Sequence, residues 1–387
     1  MNENSPRVLY ISSWYPNRVR PLLGIFVKRH AAAVAEKCKV SAMYVCSDEQ
    51  EGIEESTEEG IYTIRVYYRR VKSSIPLVSW LMKLVRYNAA WNKAITIYEQ
   101  KQGKPDIINA NVILPSSIIA LKLKKRWKVP YIITEHWTGY FPEDGRYKGI
   151  LIKSLSRRVV KHASAMVTVS NSLKIRMQQL GLTNTYYVIP NVVDTAMFNL
   201  SVDKQPDTFF RFIHVSGLDE AQKNVSGTIR AFAEVHKLFP ATTLTIIGDG
   251  EAKPDLVRLV SKLELQDSVE FTGQKTGTDL VHLFQNAGAF VLFSNYENLP
   301  CVMLEALCCG LPVVATKVGD IAEFINESNG MLVQPHDEKQ LGSAMIEMIK
   351  NKAKYNVAEI RKAVAGKVND DAVSKQFLEV YNSVLKK

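Results

Sequence analysis

Glu297 and Glu305 stand eight positions apart inside the stretch SNYENLPCVMLEALCCGLPVVATKVGDIAEFI (294–325). The first follows the apolar run AFVLFS. The second lies in a helical-looking segment that opens near Pro300, where proline suits a first turn. Glu297 is thus expected in a strand-to-helix loop and Glu305 roughly two turns into the helix. Eight residues at ~1.5 Å each put the carboxylates ~12 Å apart. Acid/base pairs of glycoside hydrolases stand ~5–9.5 Å apart, so these two are not expected to flank one scissile bond. The spacing better suits the two ends of an extended, hydroxyl-rich ligand, because carboxylates accept hydrogen bonds from hydroxyls. Between them, the N–H groups of a helix start can face a phosphate. A nucleoside diphosphate sugar has that profile, with sugar and ribose at the carboxylates and diphosphate at the helix start. An ordinary loop glutamate and a solvated helical one would leave the same pattern, and spacing alone does not separate the two.

Other chemistry finds less support. IGDGEAK carries Gly248 and Gly250 but has Lys253 at the third glycine position of a dinucleotide fingerprint. A nicotinamide cofactor is therefore not expected. No D-x-D at a strand end and no His/Asp/Glu set with metal spacing is present, so no divalent metal is expected. No Gly-x-Ser-x-Gly or Cys–His signature points to a covalent nucleophile. The five cysteines, Cys38, Cys46, Cys301, Cys308 and Cys309, have no paired spacing and read as buried, inert thiols in a reducing compartment. A lone histidine such as His136 is more often packed than catalytic.

The elements that must position these residues are α/β. Apolar and charged residues make up 46% and 23% of 387 residues, a soluble globular composition too long for one ordinary core. The start, MNENSPRVLYISSWY, shows no leader pattern, and no run reaches the ~18 apolar residues of a spanning helix. Strands are expected at RVLYIS, VSAMYVC, IYTIRVYY, DIINAN, PYIITEH, AMVTVS and TYYVIP, with helical patterns such as GIFVKRHAAAVAEK and SWLMKLVRYNAAWNKAITIYEQ between most of them. EQEGIEESTEEG (49–60) reads as a solvated acidic loop. A polar break with Pro190 and Pro206 follows, and the alternation restarts at FRFIHVSG, TTLTIIGDG, SVEFTG, AFVLFS and PVVAT. Such alternation gives parallel strands with crossover helices. Two doubly wound, Rossmann-like domains are expected: residues 1–195, residues 196–370, and a final helix, 371–387, able to pack back toward the first. Ligands of this class bind at the carboxyl ends of the strands.

Charge is uneven. Residues 1–195 hold 29 Lys and Arg against 15 Asp and Glu, or +14; residues 196–387 hold 20 against 24, or −4. In KGILIKSLSRRVVKHA (148–163), Lys153, Arg157 and Lys161 recur every four residues and share a face. Ile150, Leu151, Leu155 and Val159 supply apolar surface beside them. The segment reads as a solvated face over an internal stripe, or as a patch for anionic membrane. No nucleic-acid module is recognisable.

The 294–325 stretch resembles the E-x7-E region of the family 4 retaining glycosyltransferases, whose fold is GT-B, two such domains facing a central cleft. HVSGLDEAQKNVSGTIRAF, LTIIGDGEAKPDLVRLV and VEFTG resemble successive segments of that family's donor domain. VIPNVVD resembles its linker, with Val192 where glycine is usual. SSWYPNRVRPLLGIFVKRHAAAVA and ITEHW resemble its acceptor domain. The resemblance implies that Glu297 contacts the transferred sugar, Glu305 the ribose, and the N–H groups of Asn298 and Leu299 the sugar or diphosphate. It further implies that Lys223 neutralises the leaving diphosphate. Gly24 would permit close approach to it, and His136 would lie near the reacting sugar. One departure is Gly217, where many members carry a second phosphate-binding arginine; that contact is then missing or supplied by another residue, with Arg20 and Lys28 as candidates. The implied activity is metal-independent transfer from a nucleoside diphosphate sugar to a glycan or lipid-linked acceptor, in bacterial surface-polysaccharide assembly. The implied setting is cytoplasmic, at the inner face of the membrane. An epimerase of the same fold and a non-catalytic sugar-nucleotide-binding subunit remain as alternatives.

Overall fold

The computed structural model describes residues 5–201 and 209–386; Pro206 of the expected linker lies outside them. The chain forms two compact units. The first comprises Met1–Trp137, Tyr147–Val192 and Asp370–Lys387, and the second Thr138–Arg146 and Val193–Asn369.

The first unit holds β1 (Arg7–Ser12), β2 (Lys39–Asp48), β3 (Gly52–Glu58), β4 (Ile61–Arg69), β5 (Ile107–Asn111), β6 (Tyr131–Glu135), β7 (Ala165–Thr168) and β8 (Tyr186–Val188). They form one sheet in the order β3-β4-β2-β1-β5-β6-β7-β8. Every pairing is parallel except β3 with β4. The second unit holds β9 (Phe210–Val215), β10 (Thr242–Ile247), β11 (Val269–Gly273), β12 (Ala289–Leu292), β13 (Val313–Thr316) and β14 (Gly330–Val333), all parallel, in the order β11-β10-β9-β12-β13-β14.

Near-continuous apolar runs mark strands covered on both faces. Alternation along β9 makes this visible. Ile213 and Val215 join one buried cluster with Phe290, Leu292 and Val313. Phe212 joins another with Leu244, Ile246, Val291 and Val314. Cys38, Cys308 and Cys309 are free and buried, and burial pushes their thiols up to about 11, 12 and 12.

Three details differ from the sequence expectation. The acidic stretch 49–60 is not a loop: residues 52–58 form β3, paired antiparallel with β4 in the register Glu58↔Ile61. Glu59 and Gly60 are then the two-residue turn, both with positive φ (52° and 74°), as a type I′ hairpin requires. The glutamates of β3 are held by cations, Glu54 by Arg18 and Glu55 by Lys101. Second, β14 completes the second sheet, although GMLV carries little strand signal. Third, the units do not divide at 195/196. Ile189 and Val192 pack in the first core and Val193 and Phe198 in the second. Thr138–Arg146 belongs to the second unit, with Arg146 facing Asp219 and Tyr296. Helix Asp370–Leu385 returns to the first, where the Tyr381 hydroxyl meets those of Tyr10 at 3.1 Å and the Asn109 amide at 3.0 Å.

Candidate functional site

In the second sheet, β9 lies between β10 and β12, so the strand order reverses there. Ligands of open α/β sheets bind outside the carboxyl ends of the strands at such a switch point. The loop after β9 leads to Lys223, and the loop after β12 carries Glu297.

The β9 loop is fixed by backbone packing and by a buried histidine. Gly248 has φ 135°, and a Cβ there would stand 1.8 Å from the Ser216 carbonyl oxygen. A Cβ on Gly250 would meet the Gly217 and Leu218 oxygens at 2.7 and 2.8 Å. These glycines therefore let the β10 loop lie against 216–218, a role unrelated to a dinucleotide. His214 donates from Nδ1 to the Val291 carbonyl at 3.0 Å, which leaves Nε2 to accept from the Ser216 hydroxyl at 2.8 Å. The Ser216 oxygen in turn accepts the Leu218 N–H at 3.3 Å. Burial lowers the His214 pKa to about 4, keeping the ring neutral for this relay. A Cβ added at Gly217 meets nothing within 4 Å, so there is space at the position where the resemblance implies an arginine.

Asp219 caps the short helix Glu220–Lys223, and Asn224 ends it at φ 47°. This turn docks on the β12 loop. The Asn295 N–H donates to the Gln222 carbonyl at 2.8 Å, and the Asn295 amide to that of Ala221 at 3.0 Å. Docking brings the Lys223 ammonium against Glu297 in an ion pair whose side chains are 15% and 5% exposed. The Glu297 carboxylate also accepts from the Ser294 hydroxyl at 2.8 Å and the Gln222 amide at 3.4 Å. The resemblance assigns Lys223 and Glu297 to different groups of a ligand; their side chains here pair with each other.

Helix Cys301–Cys308 follows, with Pro300 at its N-cap. Glu305 is its fifth residue, one turn in rather than two, because Glu297–Pro300 is not helical. The separation reckoned from eight helical residues therefore does not describe this stretch. Asn298, Leu299 and Glu305 are all buried. Gly319 (φ 54°) closes the far side: a Cβ there would meet the Glu297 and Asn298 oxygens at 2.4 and 2.5 Å, and the Asp320 N–H donates to the Asn298 carbonyl at 3.1 Å. Among the described residues, no group of three or more His, Cys, Asp and Glu side chains is placed to hold a metal.

Gly24 and His136 lie in the first unit, after β1 and β6. Gly24 has φ 67°, and a Cβ there would stand 2.3 Å from the Trp14 carbonyl oxygen, so the β1 loop itself requires glycine. His136 stacks near Phe26 (4.6 Å between centroids) and His30 (5.4 Å), with Nε2 3.4 Å from the Asn111 amide oxygen. Burial, reinforced by His30, holds its pKa well below the usual histidine range. Buried Glu135 braces this corner, accepting the N–H groups of Ile113, His136 and Trp137 at 2.8–2.9 Å. Lys28 is tied to Glu58 and Glu59 at 3.2 and 3.0 Å, and Arg20 is an exposed turn residue.

Two family models match in tandem, Glycosyltransferase Family 4 over residues 24–197 and Glycosyl transferases group 1 over residues 201–363. The chain belongs to this glycosyltransferase family. Glycogen synthase of Mycobacterium tuberculosis is 30% identical over 264 residues, 65% of this chain and 62% of that protein. The chain thus spans less than two thirds of that relative's length. A Bacillus subtilis glycosyltransferase assigned to teichuronic acid biosynthesis, TuaC, is 23% identical over 370 residues, 88% of each chain. The structure of HepE from Anabaena, solved with UDP-glucose, superposes with a TM-score of 0.74 at 18% identity, covering 98% of this chain and 100% of that one. At that identity the likeness speaks for the fold, which is GT-B.

The residues whose roles have no signal in the sequence are the supports. His214 was visible as an isolated histidine in a strand, HVSG, but nothing in that pattern names Val291 as its partner. Gln222 and Ser294, the other two donors to Glu297, carry no signal of their own.

Proposed function

We propose that the chain transfers a sugar from a nucleoside diphosphate sugar to an acceptor hydroxyl, with retention at the anomeric carbon and without a metal ion. The observation that carries this reading is the meeting of Lys223 and Glu297 where β9 and β12 diverge. That meeting puts a cation for a diphosphate beside a carboxylate for sugar hydroxyls. HepE was solved with UDP-glucose, which supports a donor of the same class here. TuaC, matched over 88% of each chain and assigned to teichuronic acid biosynthesis, supports a setting in bacterial polysaccharide assembly; the cytoplasmic face of the membrane is part of the same proposal.

Each residue then has a task. Lys223 exchanges Glu297 for the diphosphate and offsets the charge that grows as the sugar–phosphate bond breaks. Glu297, released, accepts hydroxyls of the transferred sugar, and Glu305 those of the ribose. The N–H groups of Asn298 and Leu299 face the diphosphate and sugar. His136, held neutral by burial, serves as a hydrogen-bonding group toward the sugar and not as a charged acid. Gly24 lets the β1 loop turn tightly against Trp14, and the backbone of that loop would serve the same ligand. No protein nucleophile is assigned: the departing phosphate oxygen takes the acceptor proton on the same face. The first unit binds a glycan or lipid-linked acceptor and contacts anionic membrane.

The test is a melting panel of UDP, GDP, ADP and their sugar conjugates, because a ligand that prefers the folded state stabilises it by mass action. One nucleotide series is expected to raise the melting temperature. Release of nucleoside diphosphate is then expected only when an acceptor is added. Release at equal rate without acceptor would reject transfer.

A further inference from the structure

Helix Pro76–Gln102 begins outside the core of the first unit. Its buried residues start only at Ala90. Its first three turns carry Leu77, Val78, Trp80, Leu81, Met82, Leu84 and Val85, all exposed, with Leu77, Trp80 and Val85 at 65%, 58% and 67%. Ile75 just before them is 59% exposed. These side chains cover more than half of the helix circumference, while Ser79, Lys83 and Arg86 share the remaining face; an amphipathic stretch with an exposed apolar patch of this kind marks an interaction site. Eleven residues extend ~16 Å, about half of a ~30 Å hydrocarbon layer, so the stretch is too short to span.

Charge names the occupant. No Asp or Glu occurs between Glu59 and Glu99, while Arg69, Arg70, Lys72, Lys83 and Arg86 border the apolar turns. Glu49 pairs with Arg70 and Lys72 at 3.3 and 3.0 Å, leaving the region strongly basic. Arg86 also anchors the helix, donating to the Arg69 carbonyl at 2.7 Å. A second copy of this chain would bring the same cations face to face. An anionic lipid surface would neutralise them, and a tryptophan among aliphatic side chains is at home at a membrane interface.

By contrast, helix Ile150–His162 exposes large apolar side chains at its first turn alone, Ile150–Ile152; Leu155 is half-buried and Val159 and Val160 are buried, so the exposed patch does not continue along the helix.

We infer that the first three turns of helix Pro76–Gln102 seat the protein on anionic membrane by lying in the interface with their apolar side chains among the acyl chains. This extends the membrane contact put forward above and does not depend on the donor site. The test is co-sedimentation of the full chain with vesicles of phosphatidylcholine alone or mixed with phosphatidylglycerol, at low and high salt. Binding is expected only with phosphatidylglycerol, weakening with salt. The triple variant Leu77→Ser, Trp80→Ser, Leu81→Ser is expected to lose it by ~10-fold or more. The three side chains are exposed, so the variant is expected to fold, and the melting-temperature rise with UDP serves as its control. If UDP raises neither protein's melting temperature, the UDP donor reading fails while the vesicle result stands. The inference is overturned if the triple variant binds vesicles like the parent, including the case where Lys153→Ala, Arg157→Ala, Lys161→Ala abolishes binding instead. It is also overturned if the parent ignores vesicles and forms a dimer that the triple variant dissolves.

Discussion

The Lys223–Glu297 pair makes a prediction in which stability and catalysis separate. Both side chains are mostly buried, and among the described residues Glu297 is the one carboxylate paired with Lys223. Removing one partner of a buried pair costs ~3–5 kcal/mol, because the other charge is left without compensation. In Lys223→Met, Glu297 keeps its bonds from Ser294 and Gln222, so the low end, ~3 kcal/mol, is expected. At ~2–4 °C per kcal/mol, the transition of the second unit would fall by ~6–12 °C. Glu297→Gln should cost less, ~1.5–3 kcal/mol, the range for a hydrogen bond to a charged group. The double variant removes both charges together and should return to within ~1 kcal/mol of the parent, since replacing a whole buried pair is often neutral. Calorimetry on the four proteins gives this cycle. Turnover should behave otherwise. Lys223→Met and the double variant should both lose ~10²–10³ in kcat, the scale for one preorganised charge-stabilising group. A double variant as unstable as the two singles added would refute the pairing, and near-parent turnover in that variant would refute the site.

Three further outcomes are expected. Glu305→Ala should raise the donor KM with little change in kcat, because a ribose contact is made equally in ground and transition states; a fall in kcat alone in steady-state kinetics would contradict it. Gly248→Ala should destabilise the second unit by more than ~2 kcal/mol in urea titration and abolish nucleotide binding, since its Cβ would strike backbone at 1.8 Å; parent-like binding would mean the β9–β10 loop contact is dispensable. His30 and His214 are neutral in the fold, with pKa values lowered by burial from 6.5 to about 4. The unfolded chain binds more protons between those values, so stability is expected to fall as pH drops from about 6.5 to about 4 and to level below, by up to ~3 kcal/mol per histidine. Histidine NMR titration with pH-dependent unfolding checks this; a His214 midpoint near 6.5 would remove its share.

The fold was legible because its signals are local. Runs such as TTLTIIGDG and AFVLFS are apolar on both faces, and only a sheet covered on both sides consumes such runs. The acidic stretch 49–60 misled because its composition outweighed its pattern. IEEST alternates weakly, and the Glu59–Gly60 turn that folds it back carries its cue in one glycine. β14 was missed because four residues of ordinary composition become a strand only beside β13. In the site, Glu297 and Glu305 were legible as candidates through their spacing, and Lys223 through the resemblance alone. Their relation to each other was not. Lys223 and Glu297 are 74 positions apart, and their contact depends on Asn295 docking the turn at Ala221 and Gln222. No local pattern encodes that docking. The exposed apolar turns at 76–86 were passed over for the opposite reason: as a sequence they look like any core helix, and only the fold shows that no core covers them.

The Lys223–Glu297 ion pair bears on how the proposed donor would be recognised. Glu297 has three donors, Lys223, Ser294 and Gln222. A sugar hydroxyl therefore competes with an ammonium for the same carboxylate and loses, because a hydrogen bond from a neutral group is about half as strong as a charge-assisted one. A diphosphate changes the balance by offering Lys223 a more negative partner. Drawn to it, Lys223 leaves Glu297 buried and short of a donor, and a buried carboxylate in that state costs several kcal/mol until hydroxyls reach it. A nucleoside diphosphate alone leaves that deficit standing, whereas a nucleoside diphosphate sugar fills it. Recognition of the phosphate and of the sugar are then one coupled event, in which neither half of the donor is held as well as the whole. Under the proposed function, burial of the two charges is what such coupling requires: an exposed pair would be screened by water, and separating it would transmit nothing from one ligand group to the other.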